Sequence, residues 1–154
     1  MKKLLLPTDF SESAALAIPF AQELVSTWGP ENVEVHLVTV LNDHVPTSVT
    51  FGYGIAVIDS RGVLEHAAKE ARKHLREIRE QHFTTLKVTE VLLEGPEPVY
   101  LALINYAKRC QIDRILIATH GRTGFSHALI GSVAERVIRE APCPTLVVPA
   151  RSSK

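Results

Sequence analysis

Several features that often reveal a protein's chemistry are scarce or missing in this chain. It has only two cysteines, Cys110 and Cys143. Their separation fits neither a C-x-x-C motif nor a set of metal ligands, so we expect reduced thiols in a cytoplasmic protein. The 17 basic residues are balanced by 17 acidic ones, which argues against a global attraction to nucleic acid or to an anionic membrane. A Walker phosphate-binding sequence and the three-glycine dinucleotide fingerprint are also missing.

Long apolar runs are missing too. The first apolar run, residues 4–6, ends at Pro7 and is much shorter than the apolar segment of a signal peptide or a membrane span. We therefore expect a soluble protein. Its 154 residues suit a single domain, which we assign to residues 1–150, followed by a polar tail at 151–154.

The chain does contain a regular alternation of apolar patterns. Short apolar runs predict strands at 3–6, 33–40, 86–93, 114–118 and 145–148, and helical spacing predicts helices at 12–28, 63–82, 99–110 and 132–140. This alternation favours a three-layer α/β domain, in which helices cover both faces of a five-stranded parallel sheet. We expect Pro19 to kink the first helix. Residues 41–60 show no clear pattern.

The stretch from Ile115 to Glu135 combines a buried strand, a glycine-containing loop and the start of a helix. Backbone N–H groups and the helix dipole would make this arrangement suitable for an anion. Two other interpretations remain open at this point. Ser132 and Glu135 fit a capping box that satisfies only the helix itself. The Gly121-Arg-Thr-Gly124 segment also resembles the loop of a KH RNA-binding domain, although a KH loop joins two helices and this one follows a strand.

The string ATHGRTGFSHALIGSVAERVI, followed by APCPTLVVP, resembles the C-terminal signature of the universal stress protein family. The nucleotide-binding members of that family carry G-x2-G-x9-G-[S/T]. In this chain Gly121 is the second glycine, Gly131 and Ser132 close the pattern, and Ala118 replaces the first glycine. The resemblance covers nearly the whole chain and implies a doubly wound sheet with strand order 3-2-1-4-5. In that order the first and fourth strands meet at the switch point, where such sheets bind ligands.

The resemblance also implies roles for individual residues. Asp9 would accept a hydrogen bond from the adenine amino group, or would only brace its own loop. His120 would contact the ligand or hold the loop, and Arg122 would reach the terminal phosphate or lie in solvent. The implied nucleotide-binding set is Pro7, Thr8, Asp9, Val40, Ala118, Thr119, His120, Gly121, Arg122, Gly131, Ser132 and Val133. The implied ligand is ATP, with AMP or cyclic AMP as alternatives, and Mg²⁺ or Mn²⁺ would be held through the phosphates rather than by protein ligands.

The sequence contains no recognisable nucleophile with its base, and no acid–base pair for phosphoryl transfer. We therefore expect a nucleotide-dependent regulatory or stress-response module that hydrolyses ATP slowly at most. The alternative is a dimeric scaffold of the same family that does not bind nucleotide. An edge strand invites pairing, and the last strand of family members often pairs with its symmetry mate. We accordingly expect a homodimer formed through Thr145, Leu146, Val147 and Val148.

Overall fold

The computed structural model describes residues 1–42, 48–51, 54–57, 60–119 and 130–149. The strands are β1 (Lys2–Pro7), β2 (Val33–Asn42), β3 (Ser48–Phe51), β4 (Gly54–Val57), β5 (Lys87–Gly95), β6 (Arg114–Ala118) and β7 (Thr145–Val148). The α-helices are α1 (Glu12–Ala15), α2 (Ala17–Trp28), α3 (Ser60–His82), α4 (Val99–Cys110) and α5 (Ser132–Glu140), and a single 3-10 turn covers Pro30–Asn32.

Five strands form one parallel sheet in the order β5-β2-β1-β6-β7. When the five strands are numbered 1 to 5 along the chain, this order is 3-2-1-4-5, and the prediction is confirmed. The central strand β1 is apolar on both faces because helices cover both sides of it. Leu4 and Leu6 point to one side, Leu5 points to the other, and each is at most 1% exposed.

Each face of the sheet has its own hydrophobic core. One core joins β1 and β2 to α2 and α3, with Leu75 and Phe83 among its fully buried side chains. The other core joins Leu5 and Ile115 to α4 and α5. The predicted three-layer arrangement is therefore confirmed. In the described part of the chain, no helix is both long enough and apolar enough to span a bilayer.

The first predicted helix, 12–28, is divided into α1 and α2 at Leu16. Pro19 is the cause, but the interruption lies three residues before it. A proline ring clashes with the carbonyl four residues earlier, here that of Ala15, so the helix is disturbed in the preceding turn. Leu16 keeps a right-handed conformation (φ −62°, ψ −21°) and donates to the carbonyl of Ser13 at 3.2 Å.

Residues 41–60, which show no clear sequence pattern, contribute the end of β2 and an antiparallel pair, β3 with β4, in which Phe51 lies opposite Gly54. The helix α3 begins at Ser60, three residues before its predicted start, and β5 extends two residues beyond its predicted end. The elements at 99–110, 114–118, 132–140 and 145–148 have the predicted bounds. β7 lies at the edge of the sheet, as expected, and exposes 40% of Leu146.

Candidate functional site

The sheet divides at the carboxyl ends of β1 and β6. Within the described residues these strands pair only at Leu4 with Arg114 and at Leu5 with Ile115. Beyond this point β1 continues along β2, and β6 continues along β7. The two halves of the sheet therefore part at the switch point and leave a crevice between them.

Pro7 explains why the pairing ends there. Successive residues of a strand direct their N–H groups to opposite edges. The N–H of Thr8 donates to the carbonyl of Val38 on β2 at 2.8 Å, so the neighbouring position, Pro7, faces β6. Proline has no N–H to donate. On the other side of the crevice, Thr119 follows β7 by donating to the carbonyl of Val148 at 2.9 Å.

The loop after β1 is held by a chain of short hydrogen bonds. The N–H of Phe10 donates to Oγ1 of Thr8 at 3.1 Å. The N–H and the hydroxyl of Ser11 both donate to Oδ1 of Asp9, at 3.0 and 2.6 Å. Ser11 in turn caps α1 by accepting from the N–H of Ala14 at 3.1 Å. Asp9 thus braces its own loop, which is one of the two roles that the sequence left open.

This bracing accompanies an unusual backbone at Phe10, whose φ is +64°. A bulky residue rarely adopts this left-handed conformation, and it persists only where the surroundings enforce it. Here two hydrogen bonds of the loop enforce it, one from the N–H of Phe10 to Thr8 and one from the N–H of Ser11 to Asp9. The Phe10 ring also packs on the first core, with its centroid 5.2 Å from that of the His74 ring. The side of the crevice formed by this loop is therefore a rigid wall.

The opposite wall is the N-terminus of α5. Gly131 is its N-cap (φ −61°, ψ 150°), and its N–H donates to the carbonyl of Thr119 at 2.6 Å. No side chain among the described residues caps this helix, so the capping-box interpretation of Ser132 and Glu135, one of those left open by the sequence, is wrong. Ser132 is instead the first helical residue, one position too late to bond the first-turn N–H groups as an N-cap does. Glu135 Oε1 accepts a hydrogen bond from Arg139 at 2.9 Å.

A cavity of about 350 Å³ occupies the crevice. All the predicted nucleotide-binding residues that the structure describes line it, namely Pro7, Thr8, Asp9, Val40, Ala118, Thr119, Gly131, Ser132 and Val133. The remaining three, His120, Gly121 and Arg122, lie outside the described residues. The sequence analysis missed six further lining residues, which are Ala14, Val38, Val99, Leu103, Ile117 and Ala134. Strand alternation pointed to Val38, two residues before Val40, and helical spacing pairs Val99 with Leu103.

The cavity has two chemically different ends. Backbone N–H groups and the Ser132 hydroxyl lie at the α5 end, whereas Val38, Val40, Val99 and Leu103 make an apolar end between β2 and α4. Among the described lining residues, Asp9 is the only ionisable side chain, and it is engaged by Ser11. The combination of helix-terminal N–H groups with branched apolar side chains is suited to a ligand that has both an anionic group and an apolar part.

The chain is similar to known proteins over nearly its full length. The sequence model of the universal stress protein family matches residues 1–149. A universal stress protein of Methanocaldococcus jannaschii is 31% identical over 147 residues, which cover 96% of this chain and 81% of that relative. The solved structure of a second universal stress protein of this archaeon superposes with a TM-score of 0.78 at 25% identity, covering 99% of this chain and 98% of that chain.

Two solved structures of the same fold contain nucleotides. One is a universal stress protein in complex with cyclic AMP, with a TM-score of 0.65 at 18% identity, covering 97% of this chain and 98% of that one. The other, from Arabidopsis thaliana, has AMP bound and a TM-score of 0.64 at 12% identity, covering 99% of this chain and 94% of that one. The family match over residues 1–149, together with the 31% identical relative, leads to one conclusion: this chain belongs to the universal stress protein family.

Proposed function

We propose that this protein binds an adenine nucleotide in the crevice between β1 and β6 and acts as a nucleotide-dependent regulatory module. The N-terminus of α5 carries the proposal. The N–H groups of Ser132, Val133 and Ala134 have no acceptor among the described residues, and all three residues line the cavity. Three adjacent unpaired donors at the positive end of a helix dipole suit a phosphate group.

The other end of the cavity suits a purine. Val38 and Val40 on β2 face Val99 and Leu103 on α4 across the cavity, and these branched side chains would contact the faces of a flat ring. Asp9 would accept from an exocyclic amino group while keeping its bonds to Ser11. The volume of about 350 Å³ lies in the range of 300–1,000 Å³ that is typical of small-ligand pockets.

Ala118 stands where nucleotide-binding members of the family have a glycine. It lies in the regular strand β6, opposite Val148, where a β-carbon causes no backbone strain. Ala118 is only 8% exposed, so the methyl group removes little of the cavity. We therefore propose that this replacement permits binding.

The relatives support the same class of ligand, since the solved structures with cyclic AMP and with AMP share this fold. ATP is included in the proposal because the family resemblance assigns Gly121 and Arg122 to the nucleotide-binding set, with Arg122 reaching the terminal phosphate. A divalent cation would be held by the phosphates, as Mg²⁺ commonly is. Among the lining residues that the structure describes, Asp9 is the only ionisable one, and we propose that any hydrolysis of ATP by this site is slow.

Calorimetric titration of nucleotide-free protein with AMP, cyclic AMP and Mg-ATP tests the proposal, with Gly131→Val as the blocking variant. The backbone angles of Gly131 accommodate a side chain, so the variant should fold, but its branched side chain would crowd the phosphate position. Gly131→Ala is the graded control and should lose less affinity. If the folded wild-type protein binds none of the three nucleotides, the proposal is wrong and the scaffold alternative takes its place.

The edge position of β7 supports a second proposal, a homodimer formed through that strand. Among the described residues no strand pairs with the outer edge of β7, and 40% of Leu146 is exposed there, which favours pairing with a second copy about a two-fold axis. Light scattering after size-exclusion chromatography should give twice the chain mass for the wild-type protein and the monomer mass for Leu146→Lys. A wild-type monomer at all concentrations would contradict this proposal.

A further inference from the structure

A buried hydrogen bond connects β2 to α4 directly behind the cavity. Nδ1 of His36 lies 2.7 Å from Oη of Tyr106, and the two residues are only 5% and 6% exposed. His36 precedes Val38 by two residues on the same face of β2, and Tyr106 follows Leu103 by about one turn of α4. The bond thus joins the two elements whose side chains form the apolar end of the cavity.

Charged and titratable groups surround His36 on every element packed against it. Glu34 approaches from the same strand, with Oε1 3.8 Å from Nε2 of His36. The other groups that act on His36 are Lys3 on β1 and Lys87 on β5, and its partner Tyr106 on α4 has Arg109 and Cys110 beside it. Nε2 of His36 has no hydrogen-bond partner among the described residues. The carboxylate of Glu34 is already engaged by the Thr89 hydroxyl at 2.6 Å and by Lys87 Nζ at 3.1 Å.

The neutral imidazole fits this environment and the protonated one does not. In the neutral tautomer that carries its proton on Nδ1, this N–H donates to Oη of Tyr106, and Nε2 bears no hydrogen that lacks an acceptor. A protonated ring has a donor at each nitrogen, and the acceptor nearest to Nε2 is beyond hydrogen-bond distance. Burial accordingly lowers the pKa of His36 below its ordinary value of 6.5, and the attraction of Glu34 opposes this without overcoming it.

We infer that the His36–Tyr106 pair makes ligand binding in the cavity sensitive to pH. Protonation of His36 adds a donor at Nε2, and this donor finds an acceptor only if the ring and the Glu34 carboxylate come closer than their present 3.8 Å. Such a movement also acts on Tyr106 through its bond to Nδ1, so it disturbs the packing of β2 on α4, which carry the apolar walls of the cavity. A ligand packed against Val38 and Leu103 therefore favours the neutral state and is released more readily in mildly acidic solution.

The inference rests on the proposed function for the identity of the ligand, and the experiment separates the two. Hydrogen–deuterium exchange of the ligand-free protein is measured at pH 7.5 and 5.5, after correction for the intrinsic pH dependence of exchange. Amides of β2 and α4 should exchange faster at pH 5.5 in the wild-type protein and not in His36→Gln, whose side chain stays neutral. His66→Gln, which removes an exposed histidine of α3, is the matched control and should behave as wild type. Unchanged exchange in β2 and α4 of the wild-type protein overturns the inference, whether or not a nucleotide binds.

The second arm measures the affinity for cyclic AMP and AMP at the same two values of pH. We expect the affinity of the wild-type protein to be lower at pH 5.5 than at pH 7.5 by roughly fivefold or more, where fivefold is the lower end of typical coupling between linked sites. In His36→Gln we expect only the change that the titration of the ligand itself causes. Affinity that is equally pH-dependent in both proteins contradicts the role of His36.

If His36→Gln does not fold, Tyr106→Phe replaces it. That variant keeps the imidazole without its partner, so exchange in β2 and α4 should already be raised at pH 7.5. Wild-type exchange in Tyr106→Phe at both values of pH would also overturn the inference.

Discussion

Replacement of Ser132 by alanine separates a ligand-binding role from a structural one. A serine at the start of a helix usually acts as its N-cap, and its loss then costs about 1 kcal/mol of stability. Ser132 is not the N-cap of α5, because Gly131 occupies that position and no side chain caps the helix. The hydroxyl is exposed and lines the cavity. We therefore expect Ser132→Ala to leave the thermal stability of the ligand-free protein unchanged within the few tenths of a kcal/mol typical of surface positions.

The expected loss lies in the affinity for nucleotide. A hydrogen bond to a charged group contributes about 1.5–3 kcal/mol, which corresponds to a loss of roughly 10- to 150-fold in affinity. The lower end is the better expectation, because the N–H groups of Ser132, Val133 and Ala134 remain in the variant and continue to face the phosphate.

Titration calorimetry and thermal unfolding of wild-type protein, Ser132→Ala and Ser26→Ala provide the assay. Ser26 is an exposed serine near the end of α2, remote from the cavity residues in sequence, and its replacement controls for the chemical change. An unchanged affinity in Ser132→Ala, with wild-type binding intact, would refute the assignment of this hydroxyl to phosphate. A marked loss of stability without ligand would show that Ser132 serves the helix instead.

Three further predictions concern stability. Ser11→Ala removes the cap of α1 and should cost about 1 kcal/mol, or roughly 2–4 °C in the melting temperature; a melting curve that coincides with wild type would contradict the capping role. Leu75→Ala leaves a hole among fully buried side chains and should lower the free energy of unfolding by about 2–5 kcal/mol, which urea titration measures. The pKa of His36 is lowered by burial and that of Glu34 by the Thr89 hydroxyl, so the unfolded chain binds more protons than the folded one. The free energy of unfolding should therefore be fully retained above pH 6.5, fall below it through His36, and fall again below pH 4.5 through Glu34. Urea midpoints that are constant from pH 7.5 to 4 would disprove the last expectation.

Much of the fold was predictable because local pattern decided it. The helices at 99–110 and 132–140 and the strands at 114–118 and 145–148 were assigned with their observed bounds. Turns, prolines and changes of hydrophobic period border these segments. The prediction of the first helix was less accurate, since a proline disturbs the preceding turn and the helix is therefore interrupted at Leu16 rather than at Pro19 itself. The pair of β3 and β4 was not predicted, because its segment combines glycines with a weak apolar pattern.

The candidate site likewise has a part that the sequence predicted and a part that only the tertiary structure decided. Its residues could be nominated from two distant stretches, Pro7 to Asp9 and Ala118 to Val133, through their resemblance to a family. The described residues of these two stretches line a single cavity. This convergence is a property of the sheet, because β1 lies beside β6 and their pairing ends after Leu5 and Ile115.

By itself, the sequence determined the periodic elements, the apolar strands and the family signature, because each of these depends on residues that are near one another in the chain. Only the tertiary structure decided that Gly131 rather than Ser132 is the N-cap of α5, that Phe10 adopts a left-handed conformation, and that His36 bonds Tyr106 behind the cavity. Each feature involves a contact between segments that lie apart in sequence, namely Gly131 with Thr119, Phe10 with His74, and His36 with Tyr106. Their energies are set by positions in space, and no local pattern of residues encodes them.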